Sequence, residues 1–294
     1  MKPPPFEYYA PHTTEEALTH LAEHGYDAKA LAGGQSLIPM MNFRLAQPEV
    51  LIDLNNIANL SFINRDDNGG LRIGAMARHA QVEREPLVAE LAPLIYEAMP
   101  KIATSQIRSR GTFGGSIAHA DPSAELVAIT VALDGRFRLL SLTGERWFSA
   151  NEFFLGMFTT QIDPEELLVE INIPPLPRRS GWSLVEVARR PHDFAMVGVA
   201  AVVTLDDRGH CQRARIVYLS VGDGPVEAHR AAELLIGQQP TPDSIRVVAE
   251  TAAAEDVDPS SDIHASAAYR RHLVKILTGR ALEQAFQRAR TSSS

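Results

Sequence analysis

The first third of the chain combines one amphipathic helix with short apolar segments. In TTEEALTHLAEHG, residues 13–25, the apolar side chains of Ala17, Leu18 and Leu21 recur at helical spacing behind a threonine and two early glutamates. This pattern predicts a helix that a threonine caps and that Gly25 ends. Three further segments are short, apolar and typical of buried strands: 28–34, 50–57 and 71–78.

The middle of the chain predicts helices first and strands afterwards. Residues 79–103 predict one or two helices that break at Pro86 and Pro93. Residues 111–135 predict a loop followed by a helix, for which Asp121 is the expected N-cap. Beyond them the pattern predicts a hairpin and then a strand that two prolines end: 135–150 and 166–175.

The last third predicts a separate lobe. Three strands at hairpin-like spacing precede three helices: strands 183–189, 196–209 and 214–222, then helices 225–236, 242–255 and 264–290. This order predicts a three-stranded antiparallel sheet with a helical bundle, and the proline-rich segment 174–181 is the best linker. We therefore expect an α+β protein of three units: 1–58, 59–176 and 177–294.

The composition of the chain argues against several classes of function and location. The 294 residues carry a formal net charge of −8 and no long basic stripe, so a nucleic-acid surface is not expected. The N-terminus lacks the apolar core of a secretory signal, and the apolar run 194–205 is too short to span a membrane. We expect a cytoplasmic protein, with a peripheral position at the inner face of the membrane left open.

Cys211 is the only cysteine of the chain. One thiol cannot hold an iron–sulfur cluster or a cysteine-rich zinc site. If the protein performs redox chemistry, its own cofactor is therefore expected to be organic, and any metal centre is expected on another chain.

Few enzyme motifs are present. His20, Glu23 and His24 fit an H-x-x-E-H zinc pattern, but a working site needs another ligand and a cleft, so a solvated helix end is the better interpretation. Asp121 and Glu125 are better interpreted as helix-capping residues than as an acid–base pair. The chain has no Walker loop and no nucleophile elbow.

Two Gly-Gly turns remain, LAGGQS at 31–36 and GTFGGS at 111–116. Neither fits the dinucleotide-binding pattern G-x-G-x-x-G. Glycine lets a ligand approach the main chain, successive amides can form an anion-binding concavity, and Ser36 or Ser116 adds a hydroxyl donor. A phosphate would then meet the loop amides of 112–116. Spacing alone leaves two interpretations, two structural turns or two walls of one phosphate site, and favours the first.

Three segments resemble landmarks of one family: AGGQSLIPMMNFRLAQPEVLIDLNNI at 32–57, QIRSRGTFGGSIAHADPSAEL at 106–126 and DFAMVGVAAVV at 193–203. The family is the FAD-binding medium subunit of the molybdenum hydroxylases, which includes carbon monoxide dehydrogenase and the bacterial xanthine, nicotine and caffeine dehydrogenase types. The similarity extends over essentially the whole chain. The first two motifs are specific in combination.

The resemblance implies a PCMH/vanillyl-alcohol-oxidase-like FAD-binding fold, in which two α+β subdomains hold FAD and a C-terminal α+β lobe closes over the flavin. By motif position it also implies a set of cofactor-binding residues and no catalytic or metal-binding ones. The implied residues are Ala32, Gly33, Gly34, Gln35, Ser36 and Leu37 on one side of the diphosphate, Thr112, Gly114, Gly115 and Ser116 on the other, Glu125 near the ribityl or ribose hydroxyls, and Asp193 and Phe194 near the isoalloxazine.

Several of these positions differ from the usual residues of the family. Glu125 stands where relatives commonly have aspartate, Ser109 where asparagine is frequent, and Phe113 where isoleucine or valine is frequent. Phe194 can stack on a ring face but has no hydroxyl to donate. None of these differences removes a main-chain donor from the turns.

The resemblance implies an electron-transfer role. A small subunit would hold two-iron clusters, a large subunit would hold molybdopterin, and this chain would pass electrons through FAD to an external acceptor: a quinone, a cytochrome, NAD or oxygen. We expect a dimer of such heterotrimers. Two alternatives stay open, namely a free-standing FAD-dependent oxidoreductase of the same fold and a non-catalytic nucleotide-binding scaffold subunit. The substrate of the assembled enzyme is not encoded in this chain.

Overall fold

The structure is a computed structural model that describes residues 2–291. The strands are β1 (Glu7–Tyr9), β2 (Ala28–Leu31), β3 (Val50–Asp53), β4 (Ile63–Arg65), β5 (Leu71–Gly74), β6 (Arg136–Ser141), β7 (Gly144–Ser149), β8 (Phe154–Gly156), β9 (Thr159–Thr160), β10 (Leu167–Ile173), β11 (Ser180–Val187), β12 (Val197–Leu205), β13 (Cys211–Leu219) and β14 (Val226–Glu227).

The α-helices are α1 (Thr14–His24), α2 (Leu37–Asn42), α3 (His79–Val82), α4 (Pro86–Leu91), α5 (Pro93–Ala98), α6 (Ser105–Arg110), α7 (Phe113–His119), α8 (Glu125–Ala132), α9 (Ala150–Phe153), α10 (His229–Glu233), α11 (Pro242–Thr251) and α12 (Ala267–Thr291). Short 3-10 turns lie at Gly25–Asp27, Leu54–Asn56, Ala58–Leu60 and Met99–Lys101, and a π-helical turn lies at Ala252–Asp256. Within residues 2–291, no helix has both the length and the apolar character needed to cross a membrane.

The N-terminal unit is a parallel sheet of order β1-β3-β2 with α1 packed beside it. The predicted helix forms, and Thr13 and Glu16 cap it with reciprocal side-chain to main-chain hydrogen bonds. Its buried face, which includes Ala17 and Leu21, packs on Val50 and the apolar side chains around it. Strand β1 lies in the proline-rich N-terminal segment, which the sequence did not predict to be a strand.

The second unit contains an antiparallel sheet of order β4-β5-β10-β6-β7, so β10 occupies the centre. The predicted hairpin is confirmed as β6 and β7, and β10 ends just before Pro174, which has no amide to donate to a ladder. All eight residues of α8 are buried, which explains why its sequence is apolar on every side.

The prediction for residues 111–135 is wrong in two respects. The expected loop is helix α7, which Thr112 caps by accepting a hydrogen bond from the Gly115 amide at 3.1 Å. The second helix begins at Glu125 with Ala124 at the N-cap, so Asp121 does not cap it. The Asp121 carboxylate instead accepts from the Ser123 amide at 2.8 Å, and this bond closes the turn between the two helices.

The C-terminal lobe contains an antiparallel sheet of order β11-β12-β13-β14. The three predicted strands are confirmed, but the predicted three-stranded sheet is wrong by one strand, because the two-residue β14 pairs with β13. The three predicted helices form as α10, α11 and α12, and α12 packs against β11 and β12. Helix α10 begins at His229, later than expected, since residues before it are used in β14.

The lobe is joined to the second unit by a shared core. Helix α8 packs against β12 and β13, and Ile129 of α8 belongs to the same buried cluster as Val217 of β13. Polar contacts add to this joint: the Ser220 hydroxyl donates to Ser123 Oγ at 2.9 Å, and the Lys101 ammonium donates to the Leu184 carbonyl at 2.8 Å.

Candidate cofactor site

The first Gly-Gly turn connects β2 to α2. Gly34 has φ +72°, a conformation that glycine adopts without strain. Gln35 Nε2 donates to the Gly33 carbonyl at 3.2 Å, and α2 begins at Leu37 directly after Ser36. Among the described residues, no hydrogen bond engages the main-chain amides of Gly34, Gln35 and Ser36. This turn therefore offers main-chain donors.

A polar network holds the first turn in place. Asn55 Nδ2 donates to the Ala32 carbonyl at 3.1 Å, and the Tyr8 hydroxyl donates to Asp53 Oδ2 at 2.6 Å. Arg78 donates to Asn55 Oδ1 and, with its other terminal nitrogen, to the Arg110 carbonyl. Arg78 thereby connects the support of the first turn to the segment that enters the second.

The second Gly-Gly turn differs from the first in its donors. The Phe113 and Gly114 amides donate to the Ala77 and Ala75 carbonyls, both at 2.9 Å, and the Gly115 and Ser116 amides donate to Thr112. Four of the five amides at which a phosphate was expected, those of residues 113–116, therefore already have acceptors. The donors left at this turn are the Thr112 amide and the side-chain hydroxyls, above all that of Ser116.

The structure brings the two turns together. A Cβ added to Gly33 would lie 2.8 Å from the Gly111 Cα, and one added to Gly115 would lie 3.8 Å from the Ala32 Cβ. The turns are about 80 residues apart in sequence, yet their main chains touch at Gly33. The four glycines and the two serines predicted for one site thus lie on adjacent segments.

His79 lies beneath the second turn. It is 4% exposed, its Nε2 lies 3.1 Å from Ser116 Oγ, and its main-chain amide donates to the Gly111 carbonyl at 2.9 Å. The pKa of His79 is lowered to about 4, mainly by burial. A hydrogen bond with the Thr112 main chain opposes this effect, and the Arg108 and Arg78 cations add to it. The imidazole is therefore neutral at pH 7.

Glu125 begins α8 and is 8% exposed. The pKa of Glu125 is raised to about 7, mainly by burial and also by the Glu186 and Asp121 carboxylates, while its own amide and Lys101 act in the opposite direction. Burial also raises the pKa of Glu186 on β11, whose Oε2 atom is buried without a hydrogen-bond partner. An acidic pair therefore lies where the second unit meets the C-terminal lobe.

Asp193 and Phe194 lie in the loop between β11 and β12. The Asp193 amide donates to the Arg190 carbonyl at 3.2 Å, and Phe194 is 71% exposed. Within residues 2–291, no hydrogen bond joins this loop to either Gly-Gly turn. The contacts of Asp193 and Phe194 with the flavin therefore remain a prediction.

The H-x-x-E-H residues come together at the end of α1. The ligand atoms of His20, Glu23 and His24 lie within 4.8 Å of one another, the one such group of three metal-type side chains in the described part of the chain. Tyr9 stacks on His20 with ring centroids 4.1 Å apart, while the Glu23 side chain is 58% exposed. All three residues lie on α1, outside both turns.

Comparison with known proteins decides the family. Residues 4–176 match the family model described as FAD binding domain in molybdopterin dehydrogenase, and residues 182–285 match the CO dehydrogenase flavoprotein C-terminal domain. The chain belongs to the FAD-binding medium subunits of the molybdenum hydroxylases. The family expected from the sequence motifs is confirmed.

Relatives of this medium subunit match along nearly its whole length. It is 41% identical to the 6-hydroxypseudooxynicotine dehydrogenase complex subunit alpha of Paenarthrobacter nicotinovorans, over 99% of this chain and 97% of that one. It is 36% identical to the carbon monoxide dehydrogenase medium chain of Hydrogenophaga pseudoflava, over 98% and 99%.

Solved structures confirm the predicted PCMH-like fold. Carbon monoxide dehydrogenase from Hydrogenophaga pseudoflava, in a form that lacks the Mo-pyranopterin moiety, aligns with a TM-score of 0.94, 37% identity and coverage of 98% of this chain and 99% of that one. Quinoline 2-oxidoreductase from Pseudomonas putida 86 aligns with a TM-score of 0.93, 35% identity and full coverage of both chains.

The side chains of this medium subunit suit an FAD diphosphate. The first turn offers main-chain amides, the second offers hydroxyls, and the Arg78 cation donates to the Arg110 carbonyl beside the place where the turns meet. Two buried polar atoms, His79 Nδ1 and Glu186 Oε2, have no hydrogen-bond partner among the described residues.

Sequence reasoning missed three residues of this site: Asn55, Arg78 and His79. None belongs to a Gly-Gly motif, and each acts on a turn from a different chain segment. A signal existed in the pair Arg78-His79, two polar residues that follow β5 and the apolar residues 75–77 after it. Polar residues at the end of a buried strand are common in binding sites, because the strand positions them rigidly.

Proposed function

We propose that this medium subunit accepts electrons from the iron–sulfur clusters of a small partner subunit and passes them through FAD to an external acceptor. The observation that carries the proposal is the contact of the two turns at Gly33 and Gly111, inside the segment that matches the FAD-binding domain. Two donor-bearing turns that meet in this way form a concavity suited to a diphosphate.

We assign the diphosphate to the two turns and the rest of the cofactor to the second unit and the lobe. The first turn would bind through main-chain amides of residues 32–37, and the second through Thr112 and Ser116 with Gly114 and Gly115 shaping the wall. Glu125 would face the ribityl or ribose hydroxyls, and Asp193 and Phe194 would approach the isoalloxazine. When bound, FAD supplies the chemistry of a relay between one-electron and two-electron partners.

The composition of the chain supports this assignment of FAD to the medium subunit and of the metal cofactors to its partners. Its single thiol, Cys211, is buried, and burial raises its pKa to about 12, so it is neither a cluster ligand nor a redox group. We place the iron–sulfur clusters on the small subunit and molybdopterin on the large one, assembled as a dimer of heterotrimers in the cytoplasm. The units 1–58, 59–176 and 177–294 remain our proposed domains.

Purification of the three chains together tests the assignment. We expect a yellow-brown complex that releases FAD when it is denatured, and electron transfer that requires the cysteine-rich partner. Flavin-dependent turnover by this chain alone would favour the free-standing oxidoreductase instead. A complex that neither contains nor takes up FAD would contradict the proposal.

The site assignment needs its own variants. Ser36→Ala and Ser116→Ala should weaken FAD binding, whereas Ser109→Ala is the matched control, because Ser109 is exposed and its hydroxyl donates to the Gln106 carbonyl. Gly33→Asp is less informative, since any side chain there collides with Gly111 whether or not FAD is present. If the Ser36 and Ser109 variants bound FAD equally well, the Ser36 hydroxyl would not contact the diphosphate.

A further inference from the structure

Nearly all main-chain donors of the second turn, every one except the Thr112 amide, are already used within the described residues, so the direction of one hydroxyl group becomes important. The amides of Phe113, Gly114, Gly115 and Ser116 all donate within the protein. Phosphate oxygens only accept hydrogen bonds, so Ser116 can contact them usefully only if its hydroxyl proton points toward them. His79 Nε2 lies 3.1 Å from Ser116 Oγ, and this contact sets the direction of the hydroxyl proton.

A neutral imidazole carries its proton on one nitrogen only, and His79 is neutral at physiological pH. If Nε2 carries the proton, it donates to Ser116 Oγ, and the hydroxyl proton of Ser116 is free to donate outward. If Nδ1 carries the proton, Nε2 accepts from Ser116 and the hydroxyl is turned away from the phosphate. In either tautomer Nδ1 has no hydrogen-bond partner among the described residues, so a phosphate that accepts the Ser116 proton selects the first tautomer.

We propose that His79 is a positioning residue for the diphosphate: its Nε2–H donates to Ser116 and directs the Ser116 hydroxyl toward the phosphate. This inference rests on the proposed FAD site. It explains a feature that packing alone does not require, because the main-chain bond from His79 to Gly111 could be made by any residue except proline. The imidazole ring makes its side-chain hydrogen bond with Ser116.

A double-mutant cycle on the intact complex tests the proposal. After FAD is stripped, the dissociation constant of FAD is measured by flavin fluorescence for the wild type, His79→Phe, Ser116→Ala and the double variant. We expect each single variant to weaken binding about tenfold, the typical worth of one hydrogen bond, and the double variant to be no weaker than Ser116→Ala. Losses that add, or tighter binding by His79→Phe, would overturn the proposal.

Two further measurements separate positioning from packing. His79→Gln keeps a donor of similar reach and should recover most of the affinity that His79→Phe loses. Riboflavin lacks the diphosphate, so its affinity should be the same in the wild type and in His79→Phe. A variant that loses riboflavin affinity as well would show a structural role for His79 and contradict the proposal.

The same titrations distinguish failure of the inference from failure of the proposed function. If the stripped wild-type complex does not bind FAD, the proposed function is wrong, and the inference fails with it. If the wild type binds FAD but His79 and Ser116 act independently, only the inference is wrong. If His79→Phe does not fold, His79→Gln replaces it in the cycle. An FAD affinity of His79→Gln tenfold weaker than that of the wild type would then overturn the proposal.

Discussion

The pKa of Glu125 predicts how the stability of the protein changes with pH. The folded protein raises this pKa from 4.5 to about 7, mainly by burial on α8. Between these two values the folded state keeps a proton that the unfolded state has lost. The stabilising contribution is therefore complete below pH 4.5 and is lost as the pH rises through 7.

The magnitude follows from the two pKa values. One pKa unit corresponds to about 1.4 kcal/mol, so the change from 4.5 to about 7 makes ionised Glu125 cost about 3 kcal/mol at pH 8. Glu125→Gln retains the shape of the side chain but cannot ionise. Relative to the wild type, we expect the variant to gain about 2–3 kcal/mol of unfolding free energy between pH 5 and pH 8.

Urea denaturation of the FAD-stripped protein at both pH values measures this gain. Trp182 on β11 is a suitable fluorescent reporter, because that strand also carries Glu186, whose carboxylate acts on Glu125. Glu165→Gln is the matched control, since Glu165 is exposed and its replacement should change stability by less than about 0.5 kcal/mol at either pH. Equal effects of Glu125→Gln at pH 5 and pH 8 would refute the reasoning.

Four other substitutions or reactions test separate parts of the structure. Thr112→Ala removes the N-cap of α7 and should cost about 1 kcal/mol in chemical denaturation, which Thr112→Ser should largely restore. Arg108→Met leaves the partly buried Glu83 carboxylate and two main-chain carbonyls without their donor, so a loss of about 3 kcal/mol or more is expected, and an unchanged melting temperature would argue against this. Gly33→Ala should lower both FAD affinity and stability, because the main chains of the two turns can no longer touch. Cys211 should not react with a thiol reagent at pH 8 until the protein is unfolded, as absorbance at one equivalent would report.

Local patterns predicted the elements that local interactions stabilise. The capping residues around Thr13 predicted α1, and the segment 135–150 predicted the hairpin, because both depend on neighbours in sequence. The approach of the two Gly-Gly turns is a long-range event. Spacing alone favoured separate structural turns, and only the family resemblance predicted one site.

The errors have physical causes outside the local sequence. Two adjacent glycines disfavour a helix, yet residues 113–119 form one, because Gly114 packs on Ala75 so closely that an added Cβ would lie 2.6 Å from the Ala75 Cα. Strand β14 has two residues and no pattern of its own, so only its pairing with β13 defines it. His79 was missed because its role depends on a contact with Ser116, 37 residues away.

The contact between Gly33 and Gly111 also has a consequence for how the protein matures. The first turn follows a strand of the N-terminal unit, while the second belongs to the helices of the next unit. The two walls of the concavity therefore come together only after both units have folded and docked. If the proposed site is correct, we therefore expect FAD to bind only after the two units have folded and docked. A ligand that binds only the native state adds its binding free energy to stability. Bound FAD would therefore stabilise the docked arrangement of the two units against separation.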